Sequence, residues 1–255
     1  MPFDPANNIT GRVAKPPKGI VYGIGGVGKT TFAASAPVPY IIQTEEGSDE
    51  FNVTRSPLVT AWSDIFEIIK WIGTTDQPYK TLVIDSLDHA EPLLHKHLEA
   101  KHGMPLEKIN GGFYRWRAAA ATEWRDLDEA LKKLRDRKNM AIIMLAHYKI
   151  KQVDDPRFDT YERIQLKLDE QASSLLYELN DFVGFLDFDK RAIATNDEDR
   201  KRIVSTGQRK LYLADNPAYQ SKGRRGLPDS VDVPDHKKGG NPFEPFAKAF
   251  AEVSK

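Results

Sequence analysis

The residues with the clearest chemical potential lie in one glycine-rich stretch near the start of the chain. Residues 23–30 read GIGGVGKT, which matches the pattern G-x-x-x-x-G-K-[ST] of a phosphate-binding loop. Glycines lack a Cβ atom, so consecutive backbone N–H groups can turn towards an anion. A helix that begins directly after such a loop points its positive end at the same anion. The stretch therefore predicts binding of a nucleoside triphosphate.

Two side chains of this loop carry the specific chemistry. We expect the Lys29 ammonium group to reach the β- and γ-phosphates and the Thr30 hydroxyl group to bind Mg²⁺. The predicted nucleotide contacts comprise the loop and the residue beyond it: Gly23, Gly25, Gly26, Val27, Gly28, Lys29, Thr30 and Thr31.

The glycines of residues 23–28 also match G-x-G-x-x-G, the fingerprint of dinucleotide-binding folds. The adjacent Lys29-Thr30 pair favours the phosphate loop, because a dinucleotide fold does not need that pair. A separate apolar run, LVID at 82–85, ends in an acid as a Mg²⁺-binding Walker B strand does. We therefore predict that Asp85 and Thr30 hold the metal ion together.

A base that activates water must come from outside the Walker B strand. Asp85 is followed by Ser86, whereas many ATPases place a glutamate there. We expect the base at Glu45 or Glu46, which follow the second predicted strand, with Asp88 as a competitor.

His147 closes a later strand at the same edge of the predicted sheet. It is interpreted either as a sensor of the γ-phosphate or as a hydrogen-bonded edge histidine. The remaining histidines lack metal-ligand spacing and are interpreted as surface residues: His89, His95, His97, His102 and His236.

Apolar spacing predicts the elements that position these residues. Strands are expected at Gly19–Tyr22, Tyr40–Ile42, Thr81–Ile84 and Ala141–Ala146. Helices are expected at Thr30–Ala36, after an N-cap at Ser63, at 88–102, and in a long stretch with an apolar stripe that ends at Asn139. This alternation predicts a mainly parallel sheet between helices.

The pattern changes after residue 148. A polar segment covers 148–165, a helix is expected at Gln171–Leu179, and strands are expected at Phe182–Phe188 and Arg202–Leu213. Residues 226–241 have the composition of a linker. We expect the amphipathic helix Pro242–Val253 to pack on the core of its own chain.

Composition excludes several classes of protein. The 255 residues contain 37 Lys and Arg against 37 Asp and Glu, so the chain is not a general polycation. It contains no Cys, which excludes disulfides, thiol catalysis and Cys-ligated metals. We see no signal peptide and no apolar run of the ~20 residues that span a membrane. We expect a soluble, cytoplasmic protein without membrane contact.

The combined pattern resembles the RecA-like ATPases. It consists of the phosphate loop, the acid after Gln43-Thr44, a Walker B strand without an adjacent Glu, and a polar residue ending a later strand. Short phage-encoded AAA-domain nucleotide-binding proteins of the single-strand annealing type are most similar, over about residues 18–228. The resemblance implies an α/β RecA-like P-loop NTPase core with a β-rich C-terminal extension. It also implies ATP and Mg²⁺ as cofactors and a homo-oligomer with ATP between subunits.

The resemblance divides the chain into three parts. These are an irregular N-terminal arm at 1–17, a RecA-like ATPase domain at 18–226, and a linker with a C-terminal helix at 227–255.

Two segments are expected to face single-stranded DNA, because RecA-like proteins bind DNA through the loops after the third and fourth strands. Residues 101–117 and 148–163 qualify by position and interleave aromatic residues with cations. The alternative is that Phe113 and Trp116 begin the core face of the long helix.

A late cluster of cations, Lys222, Arg224 and Arg225, is implied to complete the ATP site of a neighbouring subunit. A generic phosphate-binding patch is the alternative.

The function implied by the resemblance is ATP-dependent action on single-stranded DNA in phage recombination or strand annealing, in the host cytoplasm, with a single-strand-binding protein as a partner. The alternatives are a helicase-like, helicase-loading or packaging ATPase on the same core, and a small-molecule NTP enzyme.

Overall fold

Strands and helices alternate along most of the chain. The computed structural model describes residues 13–157, 159–194, 201–223 and 226–253, together with positions 4, 8, 10 and 11. The strands are β1 (Lys18–Tyr22), β2 (Pro39–Gln43), β3 (Thr54–Arg55), β4 (Thr81–Asp85), β5 (Ala141–Ala146), β6 (Tyr148–Val153), β7 (Tyr161–Leu166), β8 (Phe182–Ala194), β9 (Lys201–Tyr212), β10 (Lys222–Gly223) and β11 (Ser230–Val233). The helices are α1 (Lys29–Ala34), α2 (Trp62–Thr74), α3 (Leu87–His102), α4 (Trp116–Lys138), α5 (Glu170–Leu179) and α6 (Glu244–Val253).

Within the described residues, one nine-stranded sheet runs through the molecule in the order β11-β9-β8-β1-β5-β4-β2-β3, with β10 beside β8. The strands from β8 to β3 pair in parallel, and β9, β10 and β11 extend the sheet by antiparallel pairing. The predicted mainly parallel sheet with a β-rich C-terminal extension is confirmed.

Successive residues of the central strands enter two different cores, because side chains alternate between the faces of a sheet. Ile20 and Tyr22 of β1 belong to the larger core, which α2, α3, α4 and α5 cover. Val21 belongs to the smaller core under α1 and α6. Helices on both faces explain why the middle of β4 and the whole of β5 are apolar.

Three sequence predictions differ from the structure. The N-cap of α2 is Ala61 rather than Ser63, because Trp62 is already helical and buried. The Asp64 carboxylate stabilises this earlier start by accepting hydrogen bonds from the backbone N–H groups of Thr60 and Ala61. The polar segment 148–165 forms the antiparallel hairpin β6–β7. The segment 226–241, predicted as a linker, contains β11, which pairs with β9 and buries Val231 and Val233.

The terminal helix α6 packs on the core of its own chain, as its sequence predicts. The Phe246 side chain is fully buried, and its ring centroid lies 5.9 Å from that of Phe32 in α1 and 4.6 Å from that of Phe182 in β8. Helix α6 therefore supports α1, the helix that begins at the phosphate loop. Among the described residues, none of the helices has both the length and the apolar character that crossing a membrane requires.

We expect Phe246→Ala to lower the free energy of unfolding by about 3–5 kcal/mol, because it leaves a cavity among aromatic rings. Chemical denaturation of the variant measures this change. Lys248→Ala, on the exposed face of the same helix, serves as the control and should change stability by less than about 0.5 kcal/mol. Equal effects of the two substitutions would show that α6 does not dock on the core.

Candidate nucleotide-binding site

The carboxyl ends of four neighbouring parallel strands, β1, β2, β4 and β5, meet at one edge of the sheet. Ligands of open parallel sheets bind outside this edge. A cavity of about 260 Å³ lies there. Its lining combines the phosphate loop with side chains that follow the other strands: Gly26, Gly28, Lys29, Thr30, Thr31, Glu45, Glu46, Gly47, Glu50, Phe51, Asp85 and His147. The fold thus brings most of the predicted site residues together.

Different structural constraints require glycine at different positions of the phosphate loop. Gly26 and Gly28 adopt φ angles of 76° and 103°, which disfavour residues with a Cβ atom. A Cβ on Gly23 would lie 2.3 Å from the backbone oxygen of Leu186, so this position permits β8 to approach closely. Among the described residues, a Cβ on Gly25 would meet nothing within 4 Å, so this glycine faces open space.

Val27 anchors the loop on the side that faces the smaller core. Its side chain is fully buried in the smaller core, and its backbone N–H donates to the carbonyl oxygen of Ile24 over 3.4 Å. Gly23 and Val27 thus shape the loop, whereas Gly26 and Gly28 face the cavity.

The Lys29 side chain lies inside the curve of the loop. Its Nζ donates to the carbonyl oxygens of Gly23 and Ile24, each over 3.1 Å. Burial lowers the pKa of Lys29, and the nearby carboxylates of Asp85 and Glu45 oppose this shift. A buried cation within a ring of backbone dipoles is a suitable partner for phosphate oxygens.

Thr30 and Asp85, which the sequence predicts as metal ligands, are in direct contact. Thr30 Oγ1 donates to Asp85 Oδ2 over 2.8 Å, which joins the first turn of α1 to the end of β4. Burial raises the pKa of Asp85 to about 6, while the Thr30 hydrogen bond opposes the shift and the neighbouring Glu45 adds to it. A hydroxyl and a carboxylate at the cavity edge are the oxygen donors that Mg²⁺ prefers, so these residues fit the ion.

Glu45 and Glu46 differ in their surroundings. Glu45 is half-buried, its side chain lies close enough to that of Asp85 to raise the Asp85 pKa, and its backbone N–H donates to the Asp85 carbonyl oxygen over 3.3 Å. Glu46 is exposed at the rim of the same cavity. The geometry therefore favours Glu45 for contact with the reacting atoms.

His147 is held by Asp88 from the first turn of α3. The Asp88 carboxylate accepts from the His147 backbone N–H over 2.9 Å and from Nδ1 over 3.0 Å. Burial favours the neutral acid, but these hydrogen bonds prevail and lower the pKa of Asp88 well below its usual range. Because a carboxylate only accepts, Nδ1 carries a proton and Nε2 is the nitrogen available to a ligand.

Two residues near the site were missed by sequence reasoning. His89 is exposed, as predicted for a surface residue, but it also lies beside the site, with Nδ1 3.1 Å from Glu45 Oε2 and 2.9 Å from Ser86 Oγ. Its position in the first turn after the Walker B strand was the available signal. Arg209 of β9 lies beside the phosphate loop, its Nε 3.5 Å from where a Cβ of Gly28 would stand. No motif marks this arginine.

Lys222 lies away from this cavity. Its Nζ donates to the backbone oxygens of Tyr177 over 2.6 Å and Glu178 over 3.0 Å, at the end of α5. Arg224 and Arg225 lie outside the described residues, so the role of this cluster at a neighbouring subunit stays a prediction.

The two segments expected to face DNA differ in what they expose. In 101–117, Phe113 and Tyr114 are 90% and 68% exposed, whereas Trp116 is buried at the start of α4. The core alternative is therefore right for Trp116 and wrong for Phe113. In 148–163, cations of the hairpin are paired with acids: Lys151 with Glu170, Arg157 with Asp155, and Arg163 with Asp215.

Comparison with known protein families identifies the family of this chain. The family model described as AAA domain matches residues 15–225. The chain belongs to the AAA domain family. It therefore contains an AAA-type P-loop ATPase domain, and the glycine-rich loop lies within the matched residues.

Solved structures show a related fold. The chain is similar to a DnaB-like replicative helicase, whose structure is described with its interactions with primase, at a TM-score of 0.50 and 15% identity. The match covers 86% of this chain and 56% of the helicase chain, so this chain spans little more than half of that protein. The predicted RecA-like P-loop NTPase fold is confirmed. A search of curated proteins found no match to this chain.

We expect Asp85→Asn to stabilise the protein by about 1–3 kcal/mol at pH 7.5 in buffer without nucleotide and magnesium. Folding raises the pKa of Asp85 from 3.8 to about 6, so the ionised acid destabilises the fold above that pH. The advantage of the variant should shrink as the pH falls through 6 and vanish below about 4.

Denaturant unfolding at several pH values measures this difference. Asp232→Asn, at a well-exposed position of β11, is the matched control and should not change the pH profile. A wild-type protein more stable than Asp85→Asn at pH 7.5 would contradict the burial argument.

Proposed function

We propose that this chain is a Mg²⁺-dependent ATPase that oligomerises on single-stranded DNA and acts in recombination or strand annealing, as a phage-encoded protein in the host cytoplasm. The observation that carries the DNA part is the exposed aromatic pair Phe113-Tyr114. The AAA domain family and the cavity at the phosphate loop support the ATPase part.

Different residues of the cavity have different roles in hydrolysis. Lys29 and the backbone N–H groups of the loop bind the phosphates and stabilise charge as it develops. Glu45 orients the attacking water and accepts its proton, and His147 contacts the γ-phosphate through Nε2. When bound, Mg²⁺ adds positive charge that offsets the phosphates. Thr30 and Asp85 would hold it.

The aromatic pair has the properties of a stacking platform. Phe113 and Tyr114 both adopt left-handed backbone angles, with φ of 51° and 60°, which turn the loop outwards before α4 begins. The Arg117 guanidinium lies 4.8 Å from the centre of the Tyr114 ring and is fixed by Asp169 over 2.8 Å. Unpaired bases stack on such rings, and nearby cations attract phosphates, so this surface is suited to a single strand.

The oligomer would complete each nucleotide site with cations from a neighbour. We assign this role to Lys222, Arg224 and Arg225, because Lys222 lies at another surface than the cavity of its own chain. A single-strand-binding protein is the expected partner on DNA.

A helicase-like or helicase-loading motor, or a packaging motor, is the second candidate. The similarity of fold to a DnaB-like replicative helicase favours it. The candidates differ in outcome: a motor separates a duplex only while ATP is hydrolysed, whereas an annealing protein speeds pairing of complementary strands. A strand-displacement assay and an annealing assay with the same oligonucleotides distinguish them.

We expect single-stranded DNA to increase steady-state ATP hydrolysis, and Lys29→Ala to lower hydrolysis by about 100-fold or more, since it removes charge stabilisation at the phosphates. Phosphate release with and without a single-stranded oligonucleotide measures both. Lys248→Ala controls for the loss of a lysine. Hydrolysis that requires Lys29 but does not increase with DNA would support the ATPase activity and contradict the role on DNA.

We expect the double substitution Phe113→Ala/Tyr114→Ala to weaken binding of single-stranded DNA by about tenfold or more, because stacking contributes ~1–3 kcal/mol per base. Fluorescence anisotropy with a labelled oligonucleotide measures the affinity. Leu58→Ala, another exposed apolar position, is the control. DNA-independent hydrolysis should persist, because the aromatic pair is separate from the cavity. An unchanged affinity would assign DNA binding to another surface.

A further inference from the structure

Three side chains at the rim of the nucleotide site form a group suited to a metal ion. Glu45 follows β2, His89 lies in the first turn of α3, and His147 follows β5. Each offers one ligand atom, and the three atoms lie within 4.8 Å of one another. The same sheet edge thus carries a nitrogen-rich cluster in addition to the oxygen pair of Thr30 and Asp85.

Neighbouring side chains orient the two imidazoles. Asp88, which is almost fully buried, accepts from His147 Nδ1 over 3.0 Å and leaves Nε2 for a ligand. Ser86 Oγ lies 2.9 Å from His89 Nδ1, which itself is 3.1 Å from Glu45 Oε2. A carboxylate behind a histidine fixes the ring and raises its basicity, as it does in established zinc sites.

The chemistry of the donors selects the kind of ion. Imidazole nitrogen suits Zn²⁺ and similar transition metals, whereas Mg²⁺ prefers oxygen. Two histidines and one glutamate are a known ligand set for Zn²⁺, with a further position left for water or substrate. Partial exposure of His89 and His147 gives the ion a path from solvent.

We propose that Glu45, His89 and His147 bind a divalent transition-metal ion such as Zn²⁺, at a site distinct from the Mg²⁺ pair. Binding replaces the contact between His89 Nδ1 and Glu45 with two bonds to the metal and releases the proton on that nitrogen. The ion also occupies the Glu45 carboxylate, so it acts as an inhibitor of hydrolysis. That consequence rests on the proposed role of Glu45, while the binding itself does not.

Titration of the whole 255-residue chain with Co²⁺ alone, without nucleotide, tests the site. We expect one Co²⁺ per chain with the visible absorption of a nitrogen-liganded ion, and displacement of that ion by Zn²⁺. His89→Ala should weaken binding by about tenfold or more, and Asp88→Asn by about 10–100-fold. His236→Ala is the matched control, because its side chain is 44% exposed, as is that of His89.

Several results would overturn the proposal. They are no Co²⁺ binding by the wild-type protein, equal affinity of wild type and His89→Ala, or a loss of binding in His236→Ala as large as in His89→Ala. His89→Gln, which keeps side-chain bulk, repeats the test should the alanine variant unfold. The readout does not involve ATP, so a failed ATPase assay leaves this result interpretable.

Discussion

Burial of charge at the carboxyl edge of the sheet is the constraint on which the rest of the site depends. Lys29, Asp85 and Asp88 are all nearly removed from solvent. A buried charge without partners is very unfavourable. Each of these groups has a partner from a distant segment or a curled loop: carbonyl oxygens for Lys29, Thr30 for Asp85, and His147 for Asp88. The charges are therefore tolerated only when β1, β4 and β5 are side by side.

The sequence predicts which local motifs lie at this edge. The phosphate loop and the apolar strand ending at Asp85 are contiguous motifs, and each needs only its own residues to be recognised. Contacts between distant segments are not visible in this way. His89 contacts Glu45, and Arg209 lies beside Gly28 although about 180 positions of sequence separate them. No spacing rule in the sequence could identify either residue as part of this edge. The hairpin β6–β7 was missed because polar residues occupy both of its faces.

The loop before α4 shows how neighbouring aromatic residues acquire opposite roles. Trp116 is helical and packs against the His95 ring at 5.0 Å between centroids, whereas Phe113 precedes the helix and faces solvent. The left-handed backbone at Phe113 and Tyr114 separates the two environments. Sequence alone offered both readings for this segment, since aromatic residues serve equally in a core and on a stacking surface. The backbone conformation decides between them.

The central claim is that Thr30 and Asp85 hold a magnesium ion against a nucleotide bound by the phosphate loop. Calorimetric titration with ATP, in the presence and absence of Mg²⁺, tests this claim most directly. The wild type is compared with Thr30→Val, which keeps the shape of the side chain and removes its hydroxyl group. The account predicts that Mg²⁺ strengthens ATP binding to the wild type and that this gain is lost in Thr30→Val. An equal gain in both proteins, or binding of a nicotinamide dinucleotide in place of ATP, would contradict it.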